Sequence, residues 1–194
     1  METAGLRERH KAKRKAAIIL AGLSLFAERG YQATTVADIA AEADVSPRTV
    51  ATYFASKQDI AMSPFSEGMD DLVRVLSERG PDETVTQIMG QWLRASDRFT
   101  DPELKRLMTR TFEANPELDA LRTARMADAI RVGAEAIARD TGTAPGSAGP
   151  RIAAAAAAAI LIQVTDTPPG SARDEATTAA LRFLEAGIGT LATD

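Results

Sequence analysis

Between Thr34 and Ile60 the chain reads TTVADIAAEADVSPRTVATYFASKQDI, and its punctuation leaves little freedom of local structure. Thr35 is a good N-cap for a short helix, Val36 to Ala43, whose apolar stripe is Val36, Ile39, Ala40 and Ala43. Asp44-Val45-Ser46 forms a tight turn, with Asp44 in the left-handed region that Asp tolerates better than most residues. Ser46 caps a further helix, and Pro47 sits at its first position, where a missing N–H costs nothing. That helix ends near Phe54, because Ser56 offers another N-cap and Lys57 starts a new segment. Ahead of the pair, a longer helix runs from near Leu6 to Arg29 and stops at Gly30. Its Ile18, Gly22, Leu25 and Phe26 form one buried stripe. By spacing alone these three helices make a helix-turn-helix.

Such a unit presents the N-terminal end of its last helix to the major groove of DNA. Here that end offers Ser46, Pro47, Arg48 and Thr49, with Thr52 one turn on, while Val45, Val50 and Phe54 face inward onto Ile39 and Phe26. The helix therefore has a wet face able to donate hydrogen bonds and a dry one. Arg48 can address a guanine edge or a phosphate, and sequence does not choose between them. The Tyr53 hydroxyl suits a phosphate. Lys57 lies at a helix N-terminus, where ammonium, N–H groups and helix dipole together favour an anion. Arg7, Arg9, Lys11, Lys13, Arg14 and Lys15 precede or open the first helix as an arm able to track a DNA backbone or minor groove.

The rest of the chain is helical by the same signals. Alanine, the best helix former, supplies about a fifth of the residues, and no β-branched run alternates with period two. Pro64 interrupts or restarts a fourth helix that ends near Glu78. Further helices are expected at 82–99, 101–114, 116–141, from Ser147 or Arg151 to Val164, and 173–191, about nine in all. Gly142 to Pro150 is the clearest linker. The expectation is an all-α chain with a helix-turn-helix domain at 1–60 and a larger helical domain at 61–194. With no cysteine and one histidine, His10, thiolate metal sites, Cys nucleophiles and His-rich sites are excluded. The carboxylates show no catalytic pairing, and neither a GxSxG elbow nor a Gly-rich phosphate loop is present. No catalytic residue, metal or cofactor is assigned.

Residues 18–60, about a quarter of the chain, resemble the DNA-binding domain of the TetR (tetracycline repressor-like) family of bacterial regulators. The matching residues are Leu25 to Tyr31, Thr34-Thr35-Val36, Ile39-Ala40, Val45-Ser46, Thr49, Tyr53-Phe54 and Ser56-Lys57. The resemblance implies a homodimer whose C-terminal domain binds a small effector that releases it from a DNA operator. Carried over by position, Arg48, Thr49, Thr52, Tyr53 and Lys57 contact DNA, and Thr35 touches a backbone phosphate. Three residues depart from the family pattern: Ala51 for a frequent phosphate-contacting Tyr, Arg48 for a common Gly, and Asp44 for the usual turn Gly.

The resemblance also directs attention to the C-terminal helices. Met89, Trp92, Phe99, Met108, Phe112 and Met126 are the candidates to line an apolar or aromatic effector's cavity, with the Trp92 N–H able to orient a polar group. Leu181, Leu184, Ile188 and Leu191 at 3-4-3 spacing, with Ile160 and Leu161 of the alanine-rich helix, are the expected dimer contacts. The apolar run Ile152 to Ile162 is too short for a bilayer, and the polar first fifteen residues carry no apolar targeting core, so a cytoplasmic protein is expected. A small-molecule sequestering protein with a vestigial helix-turn-helix is the alternative, motivated by Ala51 and Asp44. The net charge of -4 averages unlike parts. Residues 1–60 hold nine basic and seven acidic side chains, and residues 61–194 hold fourteen and twenty.

Overall fold

The structure is a computed structural model that describes residues 2–99, 101–144 and 146–192, with backbone alone for 2–6 and 97–99. Among the described residues there are ten helices and no strand. They are α1 (Glu2–Arg29), α2 (Val36–Glu42), α3 (Pro47–Tyr53), α4 (Lys57–Glu78), α5 (Val85–Phe99), α6 (Pro102–Ala114), α7 (Pro116–Arg125), α8 (Ala127–Thr141), α9 (Ala148–Asp166) and α10 (Ser171–Gly189). The chain forms two compact units: residues 1–66 with 103–122, and residues 67–102 with 123–194. The packing adds residues 61–66 and 103–122 to the stretch assigned to the helix-turn-helix domain. Helix α6 and most of α7 belong with the helix-turn-helix.

In the first unit the capping signals act as read. Ser46 accepts from the Thr49 N–H at 3.0 Å, Pro47 opens α3, and Asp44 is left-handed with φ 52°. Ile18, Leu23, Phe26, Ile39, Val50 and Ile60 are buried together. Gly22 sets the approach of α1 to α4, because a Cβ there would lie 2.7 Å from Ile60 Cγ2. Pro64 does not divide α4, which continues through it. The lost i→i−4 hydrogen bond costs about 3 kcal/mol, and the burial of Ile60, Ala61, Met62 and Phe65 around it outweighs that cost.

The second unit is built from α5, α8, α9, α10 and the later part of α4. Helix α9 packs on α8 and α10, and α10 also meets α5. The single helix expected at 116–141 is two, with Met126 between them in a tighter turn and its side chain buried. No glycine or proline marks that break. Gly142, with φ 67°, terminates α8. The buried Arg79 side chain pairs with Asp140 near the surface at 2.5 Å, and Asp140 also accepts the Val85 N–H at 2.9 Å, tying α5 to α8. By length and composition α9 could cross a bilayer, but Ala154, Ala157, Ala158, Leu161 and Val164 are buried within this unit.

Replacing Gly22 by Ala drives a methyl into Ile60, so Gly22→Ala is expected to lower the unfolding free energy by about 1–3 kcal/mol. Urea denaturation of the two proteins measures this directly.

Candidate nucleic-acid interface

Helix α3 stands at the surface with its hydrophobic side turned inward. Val50 and Phe54 are buried and Val45 is half-buried, while Ser46, Pro47, Arg48, Ala51 and Thr52 are exposed. Thr49 is half-buried, with its hydroxyl 2.8 Å from that of Ser46. The Thr52 hydroxyl donates back to the Arg48 carbonyl at 2.9 Å and keeps acceptor capacity outward. The wet edge expected from the sequence is therefore assembled on one short, rigid helix. Ala51 lies in that edge with only a methyl to offer, and Asp44 is exposed at the turn before it.

Two expected phosphate ligands already have hydrogen-bond partners within the chain, Thr35 at the surface and Lys57 half-buried. The Thr35 hydroxyl donates to Asp38 Oδ2 at 2.6 Å and accepts the Asp38 N–H at 3.1 Å, and the Thr35 N–H donates to the same carboxylate at 2.8 Å. This reciprocal cap fixes the start of α2 and, through the Thr35 hydroxyl first, holds the Asp38 carboxyl below its ordinary pKa. Lys57 donates to the carbonyls of Tyr31 at 2.7 Å, Thr34 at 3.1 Å and Gln32 at 3.4 Å, with its ammonium 4.3 Å from the Tyr31 ring centroid. All three N–H donors are accounted for. The sequence placed this ammonium outward on a phosphate; the structure turns it onto the loop between α1 and α2.

That loop is held by residues the sequence reading passed over. The Asn115 side chain accepts the Tyr31 N–H at 2.6 Å and donates to the carbonyls of Phe26 and Thr111 at 3.1 and 2.7 Å. The Thr34 hydroxyl donates to the Gly30 carbonyl at 2.9 Å, and that of Thr111 to the Leu23 carbonyl at 3.0 Å. The one available signal was Asn115-Pro116, which marks the start of α7 but not where the Asn side chain goes. Tyr31 packs on Phe26 at 5.2 Å, and its burial, then Glu117 and Asp59, raises its pKa above the ordinary value.

The expected effector residues divide between the units. Met89 and Met126 line a small apolar void in the second unit with Leu72, Ile137 and Leu161. Trp92 is buried in the same unit, but its N–H is held by Asp71 Oδ2 at 3.0 Å and the ring does not border the void. Met108 and Phe112 belong to the first unit, where Phe112 meets Phe65 edge-on under the Arg122 guanidinium. The Phe99 side chain lies outside the described residues.

The expected dimer residues divide between core and surface. Leu161 and Leu184 are buried in their own chain, and Leu181 packs onto α5 beside Gly90. Ile160, Ile188 and Leu191 are half-exposed. Among the described residues the large apolar side chains that face outward are Ile152 on α9 and Phe183 on α10, 69% and 66% exposed. On α10 the 3-4-3 face is thus mixed: Leu184 is buried, Leu181 lies against α5, and Ile188 and Leu191 border an open groove with Ile152 and Phe183.

A short helix carrying an arginine and hydroxyls on a capped helix-turn-helix, backed by a separate helical unit, defines a DNA-binding transcriptional regulator. Residues 18–62 match the model of the bacterial regulatory proteins of the tetR family, and residues 83–189 match that of the MftR C-terminal domain. The chain belongs to the TetR family of transcriptional regulators. It is 36% identical over 102 residues to the transcriptional regulator TcmR of Streptomyces glaucescens, covering 52% of this chain and 45% of TcmR. The matched stretch is about half the length of such curated relatives or less. Among solved structures, NalD, the secondary repressor of the MexAB-OprM multidrug efflux pump in Pseudomonas aeruginosa, aligns with TM-score 0.64 at 23% identity over 91% of this chain and 97% of that one. Thermus thermophilus FadR, a repressor solved with lauroyl-CoA, aligns at 0.51 and 22% over 89% and 94%. These two likenesses concern the fold.

Lys57→Met keeps the aliphatic stem and removes the ammonium from the Tyr31 and Thr34 carbonyls. It is expected to destabilise the protein by about 1–3 kcal/mol, read from chemical unfolding in the absence of DNA.

Proposed function

We propose that this chain is a repressor that binds a near-palindromic operator as a homodimer in the cytoplasm and is released by a small apolar or aromatic effector. The observation that carries the reading is the exposed edge of α3, where Ser46, Arg48 and Thr52 stand clear of the core on a helix fixed at both ends. In a two-fold dimer two such helices would enter successive major grooves about 34–36 Å apart. Arg48 is the side chain with reach enough for a guanine edge. Thr49, Thr52 and Tyr53 supply shorter polar groups around it.

The exposed faces of α9 and α10 support self-association. Ile152, Ala155, Ala156, Ala159 and Ile160 recur at helical spacing on α9, and Ala172, Ala176, Ala179, Phe183 and Ala186 do so on α10. Small side chains let a second pair of helices approach closely, and Ile152 and Phe183 are the bulky groups that would lose most water.

For the effector, the void around Met89 and Met126 has the right chemistry and the wrong size. It is apolar but only about 30 Å³, against roughly 300 Å³ or more for pockets that hold drug-sized ligands. On this reading binding requires α8 and α9 to separate around the ligand. FadR, with its acyl-CoA, is a family fold that holds a long apolar chain, which suits such a lining.

A mobility-shift titration against DNA flanking the gene tests the proposal. Retardation of a fragment carrying a near-palindrome is expected, and Arg48→Ala should weaken it by about 1–3 kcal/mol, or roughly 5- to 150-fold, while relaxing preference at the contacted base pair. No retardation of any flanking fragment at low salt, combined with tight ligand binding, would favour the sequestering protein instead. Separately, Phe183→Glu is expected to shift the sedimenting species from dimer to monomer with helical circular dichroism unchanged.

A further inference from the structure

Asn115 lies between α6 and α7, directly before Pro116. An asparagine at that place ordinarily turns its side chain onto the helix that follows and caps it. Here the Asn115 carbonyl meets α7, accepting the Leu118 N–H at 2.9 Å, while the side chain crosses to α1 and the loop after it. Its Oδ1 accepts the Tyr31 N–H at 2.6 Å, and its Nδ2 donates to the Phe26 and Thr111 carbonyls at 3.1 and 2.7 Å. The residue is only 3% exposed, so water does not compete for these bonds. Asn115, Tyr31, Phe26 and Thr111 all belong to one compact unit.

Tyr31 is thereby pinned at three points. Asn115 holds its N–H, the Lys57 ammonium holds its carbonyl at 2.7 Å, and its ring packs on Phe26 at 5.2 Å between centroids. The residue before it, Gly30, is left-handed with φ 86°, and glycine by itself leaves the backbone free to turn many ways. Helix α2 begins five residues after Tyr31, at Val36. It packs on α3 through Ile39, Ala40 and Val50, and the Val45 N–H donates to the Ala40 carbonyl at 2.9 Å. The pair therefore turns as one body, and an error in the direction of the loop reaches Arg48 undiminished. A side chain that reads a base edge must be held to within about 0.5 Å.

A buried asparagine is ordinarily just a satisfied core residue, and a neighbour shows what that bland role looks like. Thr111, one turn earlier on α6, is fully buried and donates to the Leu23 carbonyl at 3.0 Å, inside the body of α1. Asn115 instead reaches the loop, where the direction of α2 and α3 is set. We propose that Asn115 is a positioning residue for sequence reading: through the Tyr31 N–H it fixes the direction in which α2 and α3 leave α1, and so where Arg48 meets the base edges. The proposal rests on the reading of the chain as a DNA-binding regulator with α3 as its reading helix. Asn115 contributes to preference among sequences and leaves the charge-driven part of affinity alone.

The test uses the full chain and two duplexes, one carrying the flanking sequence that the wild-type protein retards and one unrelated. Each variant's folded fraction is fixed from its own urea unfolding curve. Asn115→Ala should lower the ratio of operator to unrelated affinity by about fivefold or more, the lower end of what one base contact discriminates. The slope of log K against log salt should not change, because no phosphate ligand is lost. Asn115→Leu, which fills the same space, gives the same readout where the alanine variant is too unstable to isolate. Thr111→Val should lower stability and leave the ratio as it is. Asn115→Asp keeps the acceptor for the Tyr31 N–H but sets a second oxygen against the Phe26 and Thr111 carbonyls, so it should lose stability yet retain most of the ratio. An unchanged ratio in folded Asn115→Ala or Asn115→Leu overturns the proposal, as does an equal fall in Thr111→Val or in Asn115→Asp. In each of those cases the wild-type chain still binds its operator and the regulator reading stands. Failure of the wild-type chain to bind any duplex overturns both.

Discussion

The carboxyl end of α1 is where the DNA-facing unit is decided. A helix that stops leaves its last carbonyls without intrahelical donors, and here the termination at Gly30 is followed by a loop with bare carbonyls of its own. Donors arrive from three separate parts of the chain: Thr34 within the loop, Asn115 at the end of α6, and Lys57 from the start of α4, while Thr111 adds a donor to the Leu23 carbonyl further back in α1. Each bond alone contributes about 1 kcal/mol, but together they fix a junction where α1, the loop, α4 and α6 meet. Helix α2 begins immediately after this junction, and α3 is joined to α2 by the four residues Ala43 to Ser46. The direction in which Arg48 points is therefore inherited from the polar knot behind it.

That dependence explains why Lys57 looks like one thing in sequence and is another in the fold. Read locally, a lysine at a helix N-terminus beside a DNA-reading helix invites a phosphate. Read in three dimensions, a carbonyl cluster lies within its reach and Tyr31 presents a ring face to it. A desolvated carbonyl has no other donor there, whereas a phosphate is present only in the complex. In the free protein the ammonium is held by these carbonyls, so Lys57 also fixes the loop between α1 and α2.

The same contrast separates what was legible in the sequence from what was not. Caps, turns and stops are local chemistry, so Thr35, Asp44, Ser46, Pro47 and Gly30 could be read one residue at a time. Helix continuity at Pro64 was not legible, because the burial of residues on both sides outweighs the local cost. Nor was the break at Met126, where tertiary burial of one side chain ends a helix that no residue type ends. Periodicity gave the faces of α10 but could not say which face meets the chain's own core, since both are lined with small or apolar residues. Asn115 was hidden for a related reason: its role lies 89 residues away, at the Phe26 carbonyl.

Helix α9 shows how the last of these ambiguities bears on regulation. Its seven consecutive alanines can be read as one featureless run, yet the fold gives them two faces. Ala154, Ala157 and Ala158 border the apolar void, while Ala155 and Ala159 lie on the exposed side with Ile152. A methyl is the smallest side chain that still excludes water, so both faces can be approached closely. On the proposed reading an effector that wedges between α8 and α9 acts on the helix whose outer face meets the partner subunit. Such a ligand shifts the equilibrium only by the difference in its affinity for the opened and closed forms. A void of about 30 Å³ leaves such a ligand little room until α8 and α9 part, so on this reading the cost of parting them is set against its affinity.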